Sequence, residues 1–224
     1  DLATGDLVSV ETLLRLRDEK GDIIPNDKLI PLVEGESLFS LVVLASMQKL
    51  KEVFAFKKEK KLDFTVYLNI SAYTAMQENF CNIILDFVEE NGLKSGDLGL
   101  EITETAELED ISRAAEYFEK LKSHGIPLAL DDFGAGYSSL SYLRDLPIKM
   151  VKLDKDFSRT VSEHDTQELV KFVVSICENM ELDMLAEGIE TLEQQETFLK
   201  LGCDNGQGYF HHRPQFLAEF KEEF

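Results

Sequence analysis

The groups in this chain that could do chemistry fall at recurring places. Glu11, Asn69, Glu101, the pair Asp131-Asp132, Lys152, Glu187 and Gln207 each sit within or just beyond the end of a short apolar run, with Glu104, Asp154 and Glu190 close behind. An apolar strand covered by helices has little structural use for so many acids. Carboxylates gathered at one end cannot all stay ionised unless a cation compensates them. Oxygen donors without His or Cys suit hard divalent ions, Mg2+ or Mn2+. In an adjacent pair such as Asp131-Asp132, one carboxylate can bridge two ions while its neighbour reaches one. Ions about 3.5–4 Å apart form a clamp for in-line displacement at phosphorus. Taken singly, each residue has a plainer use: an Asp or Glu as a helix cap or solvated turn, Lys152 as an exposed edge lysine. Repetition on successive runs favours the metal site.

The elements that must carry these groups alternate between two periods. Strand-like runs are Leu7–Leu16, Phe64–Ile70, Leu98–Thr103, Leu128–Phe133, Met150–Asp154, Asp183–Glu187 and Gly206–Phe210. Helical patterns separate them at Leu38–Lys58, Asn79–Asn91, Ile111–His124, Thr166–Met180 and Glu193–Leu201, with Gly following at Gly92, Gly125 and Gly202, where a helix stop favours it. Such alternation implies a mostly parallel sheet covered by helices. No Gly-x-Gly-x-x-Gly opens a helix, so a dinucleotide-binding fold has no support. A (β/α)8 barrel needs eight strands, one more than the runs supply, and collects function at the carboxyl ends of its strands. A missing first strand would explain the shortfall.

Composition sets the outer bounds. The chain has 224 residues, 23 Lys plus Arg and 43 Asp plus Glu, for a formal charge of −20. One domain of roughly 200–250 residues is routine for a barrel. So acidic a surface repels nucleic-acid polymers and anionic membrane faces. With 44% hydrophobic residues and 15 Phe, the chain is no disordered acidic tail. Cys81, Cys177 and Cys203 form a sparse, odd set that fits a reducing, cytoplasmic compartment. The apolar stretch around Leu38–Ala45 is far short of the ~20 residues that span a bilayer, so no direct membrane insertion is expected. Lys57–Lys61 reads as a solvated helix end, Phe54 and Phe56 as core, and His211-His212 as surface.

The string from Leu128 to Leu140, LALDDFGAGYSSL, resembles the signature of the EAL-domain cyclic di-GMP phosphodiesterases. Other motifs similar to that family follow in order: Glu11-Thr12-Leu13-Leu14-Arg15, Asn69-Ile70-Ser71, Glu101-Ile102-Thr103-Glu104, Lys152-Leu153-Asp154, Ala186-Glu187-Gly188-Ile189-Glu190, and Gly202-Cys203-Asp204 with Gln207-Gly208-Tyr209. The resemblance runs from about Asp6 to Pro214.

The resemblance implies an α/β fold, a TIM-like (β/α)8 barrel lacking its first strand, with residues 1–224 forming one N-terminally incomplete EAL-type domain. It implies hydrolysis of one phosphodiester of cyclic di-GMP, a bacterial second messenger, to linear pGpG. Glu11, Asn69, Glu101 and Asp131 would hold one Mg2+ or Mn2+, and Asp131, Asp132 and Glu187 a second. Lys152 would sit beside the attacking water, and Glu187 has been read as a general base. Leu13, Arg15, Asp154 and Gln207 would serve the substrate, while Glu104 and Glu190 would anchor loops. The implied partners are a second copy in a homodimer and an attached sensory or diguanylate cyclase domain. Thr12 departs from the family's alanine, and Arg17 stands near its usual tryptophan. A catalytically weak cyclic di-GMP receptor or scaffold is the alternative. An enolase-type proton abstractor is a third, disfavoured because no second strand supplies a base lysine.

Overall fold

Period-two alternation along the strands decides the architecture. In the computed structural model, which describes residues 1–25, 28–29, 38–77, 79–103, 108, 110–135 and 139–224, the strands are β1 (Ser9–Thr12), β2 (Leu16–Arg17), β3 (Ile23–Ile24), β4 (Thr65–Asn69), β5 (Leu98–Thr103), β6 (Leu128–Phe133), β7 (Ile148–Leu153), β8 (Asp183–Ala186) and β9 (Asn205–Gly206). Seven of them form one parallel sheet in the order β1-β4-β5-β6-β7-β8-β9, and β2 and β3 form a separate hairpin. The helices are α1 (Leu38–Lys60), α2 (Ala72–Ala75), α3 (Phe80–Glu90), α4 (Ile111–Ser123), α5 (Ser139–Asp145), α6 (Lys155–Thr160), α7 (His164–Met180), α8 (Leu192–Leu201) and α9 (Leu217–Glu223).

One parity of each strand faces the helices. Val66, Leu68, Leu100, Ile102, Leu130, Val151 and Leu153 join Ile84, Phe118, Val173 and Phe198 of the helices in the main core. The other parity faces inward, where Tyr67, Ala129, Met150 and Leu185 make a small separate cluster. The Tyr67 ring lies over Gly99 so closely that a Cβ there would come within 2.4 Å of it. These residues precede Asn69, Glu101, Asp131, Lys152 and Glu187 by two, which is one step along the same strand face. The barrel interior is therefore layered, as in other small barrels: an apolar floor, then the polar residues at the carboxyl-terminal mouth.

The sheet curls until its edges approach. β1 and β9 do not ladder, but Gln207, just past β9, donates from Nε2 to Glu11 Oε2 on β1 at 2.8 Å. Beside β9, the Leu2 amide donates to the Asp204 carbonyl at 2.8 Å. This is the TIM-like sheet expected, with seven strands among the described residues.

Two strand boundaries differ from expectation. The run Leu7–Leu16 is not one strand, because the chain leaves the sheet after Thr12 and forms the separate β2–β3 hairpin, whose turn is held by Asp18 accepting from the Lys20 and Asp22 amides. The run Gly206–Phe210 shrinks to Asn205–Gly206. A Cβ at Gly208 would stand 2.1 Å from the Ile189 carbonyl oxygen, so the chain turns there against that backbone. Phe54 and Phe56 are buried, and all three cysteines are free and buried.

Lys57 is a correction. It is not solvated: its side chain is 8% exposed and its ammonium bonds the Phe64 carbonyl and Asp97 Oδ1, the latter at 2.5 Å. The bond ties the last turn of α1 to the entrances of β4 and β5, and the aliphatic stem is buried on the way. Lys57→Ala should lower the unfolding free energy by about 3 kcal/mol, since it strands a partly buried carboxylate. Urea unfolding of the two proteins checks this.

Candidate active site

The site forms where six strands deliver their last inward residue to one mouth. Lys152, on β7, is 1% exposed and stands at the centre. Its ammonium lies 2.9 Å from Glu101 Oε2 on β5, 2.9 Å from Glu187 Oε1 beyond β8, 3.0 Å from Asp131 Oδ1 on β6 and 3.5 Å from Glu11 Oε2 on β1. Asn69, at the end of β4, donates from Nδ2 to Glu11 Oε1 at 2.8 Å. Glu11 is thus held by Asn69, Gln207 and Lys152 together.

Asp131 and Asp132 are neighbours on one strand and in a regular strand would face opposite ways. The β6–β7 register shifts between Leu130 and Phe133, and Asp132 adopts a left-handed backbone with φ 54°. Such a bulge re-aims a side chain, and Asp tolerates this region better than bulky residues do. Asp132 thereby joins Asp131 and Glu187 in one group of carboxylates whose oxygens lie within 4.8 Å of one another. Glu11, Glu101 and Asp131 form a second such group. Asp131 belongs to both.

Electrostatics at this mouth is set by burial and by the Lys152 ammonium, with Lys155 adding a smaller pull on Asp132. Burial pushes Glu101 up to about 8, against the pull of Lys152. Glu187 is pushed up to about 7, again chiefly by burial. Asp132 rises to about 6 through burial and then the charges of Asp131 and Asp154. For Glu11, burial is outweighed by the Lys152 charge and the Gln207 and Asn69 hydrogen bonds, and its carboxyl lies below the usual value. Burial opposes the charge on Lys152, but its carboxylate neighbours prevail and hold it well above the usual lysine value.

A single lysine thus leaves several acids reluctant to ionise, and a divalent cation fits what is missing. Asp131 Oδ1 supports that fit directly. It is buried and has no hydrogen-bond partner among the described residues, with Lys152 3.0 Å away as a charge only. The donor set is oxygen throughout, which suits Mg2+ or Mn2+.

A pH dependence follows. Between the ordinary carboxylate value of 4.5 and about 8, folded Glu101 keeps a proton that the unfolded chain has lost, and Glu187 does so up to about 7. The folded state binds more protons across this window, so the stability of the chelator-treated protein should fall as pH rises through it. Mn2+ should flatten or reverse that slope, because metal replaces those protons. Thermal unfolding at pH 5 and pH 8.5, with chelator and with Mn2+, reads both.

The remaining expected site residues are placed as follows. Asp154 is buried and caps α6, accepting from the Asp156 amide at 2.8 Å. Leu13 and Arg15 lie exposed beyond β1, with Arg15 Nη1 donating to the Leu14 carbonyl at 2.7 Å. Glu190 is exposed; its backbone amide, not its carboxylate, makes the bond that holds its loop, to Gln194 Oε1 at 2.7 Å. Glu104 lies outside the described residues. Gln194 was missed from sequence, although Thr191-x-x-Gln194 is a readable capping box.

Fold and site together define a TIM-like barrel with an oxygen-donor centre at its carboxyl-terminal mouth, built around one buried lysine and able to hold divalent cations. The chain belongs to the EAL domain family, whose model matches residues 1–214. It is 33% identical over 208 residues to the cyclic di-GMP phosphodiesterase PdeA of Borreliella burgdorferi, covering 92% of this chain and 31% of that protein. It is 31% identical over 223 residues to the cyclic di-GMP phosphodiesterase PdeL of Escherichia coli, covering 97% of this chain and 62% of that one. Among solved structures, the EAL enzyme Bd1971 in its cAMP- and cyclic di-GMP-bound form superposes with a TM-score of 0.89 at 25% identity, over 99% of this chain and 61% of that one. The chain thus spans about a third of the length of PdeA and under two thirds of PdeL. No helix among the described residues is long and apolar enough to cross a membrane.

Proposed function

We propose that residues 1–224 act as an EAL-type phosphodiesterase domain that hydrolyses one phosphodiester of cyclic di-GMP to linear pGpG with two Mg2+ or Mn2+ ions. The observation that carries this reading is the pair of carboxylate groups sharing Asp131 around Lys152. Glu11, Asn69, Glu101 and Asp131 would hold one ion, and Asp131, Asp132 and Glu187 the other. When bound, the ions would supply Lewis acidity to the phosphoryl oxygens and make a water nucleophilic near neutral pH.

The residues of the chain supply the rest. Lys152 keeps a positive charge beside the nucleophile, where its ammonium is fixed by the acids around it. Glu187, with Oε1 2.9 Å from the Lys152 ammonium, would take the proton of the attacking water as general base. Gln207 orders Glu11. Arg15 offers a planar fork suited to a phosphate or a guanine edge, and Leu13 and Asp154 complete the substrate contacts. Glu104 and Glu190 would anchor loops. A cytoplasmic location, a homodimer and an attached sensory or diguanylate cyclase domain belong to the same reading.

Incubation with cyclic di-GMP and Mg2+ or Mn2+, followed by chromatography, tests it. Linear pGpG is the expected product. Tight binding with no product in either metal would mark a receptor instead.

A further inference from the structure

Glu187 stands one residue beyond β8, where the ladder that fixes its backbone gives out. Its amide makes the last rung, donating to the Leu153 carbonyl at 3.1 Å. In parallel register the next rung would bring the Lys155 amide to the Glu187 carbonyl. Lys155 is already the first residue of α6, so that donor is turned away. The hydroxyl of Ser158, one turn further along α6, donates to the Glu187 carbonyl in its place. Ser158 is 1% exposed.

Two further observations place α6 as the support of this turn. Gly188 has φ 69°, and a Cβ there would lie 2.6 Å from Lys155 Cβ, so the turn rests directly on the first residue of α6. From the other side, Gln194 of α8 accepts the Glu190 and Thr191 amides on Oε1, at 2.7 and 3.0 Å, and donates from Nε2 to the Ser158 carbonyl at 2.8 Å. One serine therefore joins the turn to α6 by its hydroxyl and α6 to α8 by its carbonyl.

We propose that Ser158 is a positioning residue for Glu187. It fixes the peptide plane after Glu187 and with it the direction from which the carboxylate reaches Lys152, Asp131 and Asp132. Without the hydroxyl, the part-buried carbonyl loses its bonded partner and the peptide is free to turn toward another donor. The carboxylate would then swing away from the group it shares with Asp131 and Asp132, while Glu11 and Glu101, on β1 and β5, stay as they are. The effect on turnover rests on the phosphodiesterase reading; the effect on cation uptake does not.

The test is titration of Mn2+ into the wild-type chain, Ser158→Ala and Ser158→Thr by calorimetry, with cyclic di-GMP turnover measured in parallel. Outer-shell partners of metal ligands are worth about 10–100-fold in affinity or activity. Ser158→Ala should bind one Mn2+ as the wild type does and the other about 10-fold more weakly. Its kcat should fall by about the same factor, with KM for cyclic di-GMP nearly unchanged. Ser158→Thr, which keeps the hydroxyl, should restore both. If Ser158→Ala fails to fold, Ser158→Cys carries the same prediction, because it keeps a small side chain and replaces the hydroxyl with a much weaker donor. Wild-type titration and kcat in Ser158→Ala, equal impairment of the alanine and threonine variants, or a wild-type chain that takes up no Mn2+ would each overturn the proposal. A Mn2+ defect in Ser158→Ala with no pGpG from any protein would leave the positioning role standing and remove the phosphodiesterase reading.

Discussion

Lys152→Met is expected to cost the protein both stability and turnover, and metal should recover the first but not the second. The ammonium is 1% exposed and lies within 3.5 Å of four carboxylates. Removing it leaves a buried cluster of acids with no counter-charge, which costs about 3–5 kcal/mol for a broken buried pair. At pH 5 the loss should be smaller, because Glu101 and Glu187, raised to about 8 and about 7, then carry protons instead of charges. Mn2+ should recover much of the stability at pH 8 by replacing the lost positive charge. It should not recover turnover, which is expected to fall by about 10²–10³-fold, the usual cost of deleting one preorganised electrostatic group. A variant that is as stable as wild type at pH 8 in chelator would mean that Lys152 is not the counter-ion of this cluster.

Asp131→Asn should have the largest effect on activity. Its carboxylate is the one shared by both groups, and one of its oxygens is buried without a hydrogen-bond partner among the described residues. The amide is nearly the same shape, so β6 should keep its register and its bulge. Both cation sites lose charge together, and a Lewis acid is worth several kcal/mol to the transition state. Turnover is therefore expected to drop by at least about 10³-fold. Mn2+ uptake should weaken at both sites, in contrast to Ser158→Ala, where it weakens at one. Retention of one full-affinity ion by Asp131→Asn would show that the aspartate does not bridge.

Much of this was legible in the sequence, and for a physical reason. β5 and β6 have the expected bounds, and β4, β7 and β8 differ by a residue or two, because strands buried on both faces read as unbroken apolar runs. The polar groups that interrupt those runs at their ends are the ones the structure gathers. Less visible was anything decided by non-local contact. Lys57 looks like its neighbours in a basic run; only the arrival of Phe64 and Asp97 at the end of α1 buries it. Lys152 was expected at the site, but its contact with four carboxylates at once appears only when five elements converge. The short helices α5 and α6 span 7 and 6 residues, too few for a helical period to register. Ser158, on the second of these, carried no signal at all. Asp131-Asp132 was recognisable as a pair, but that both could serve one mouth depends on a bulge and a left-handed Asp132.

The mouth around Asp131 is expected to hold two cations at once. Crystals grown with Mn2+ and cyclic di-GMP, measured at the manganese absorption edge, test it most directly. Two anomalous peaks about 3.5–4 Å apart are expected, both within coordination distance of Asp131, one also touching Glu11 and Glu101 and the other Asp132 and Glu187. Manganese bound elsewhere, or absent from this mouth while cyclic di-GMP is bound, would contradict it.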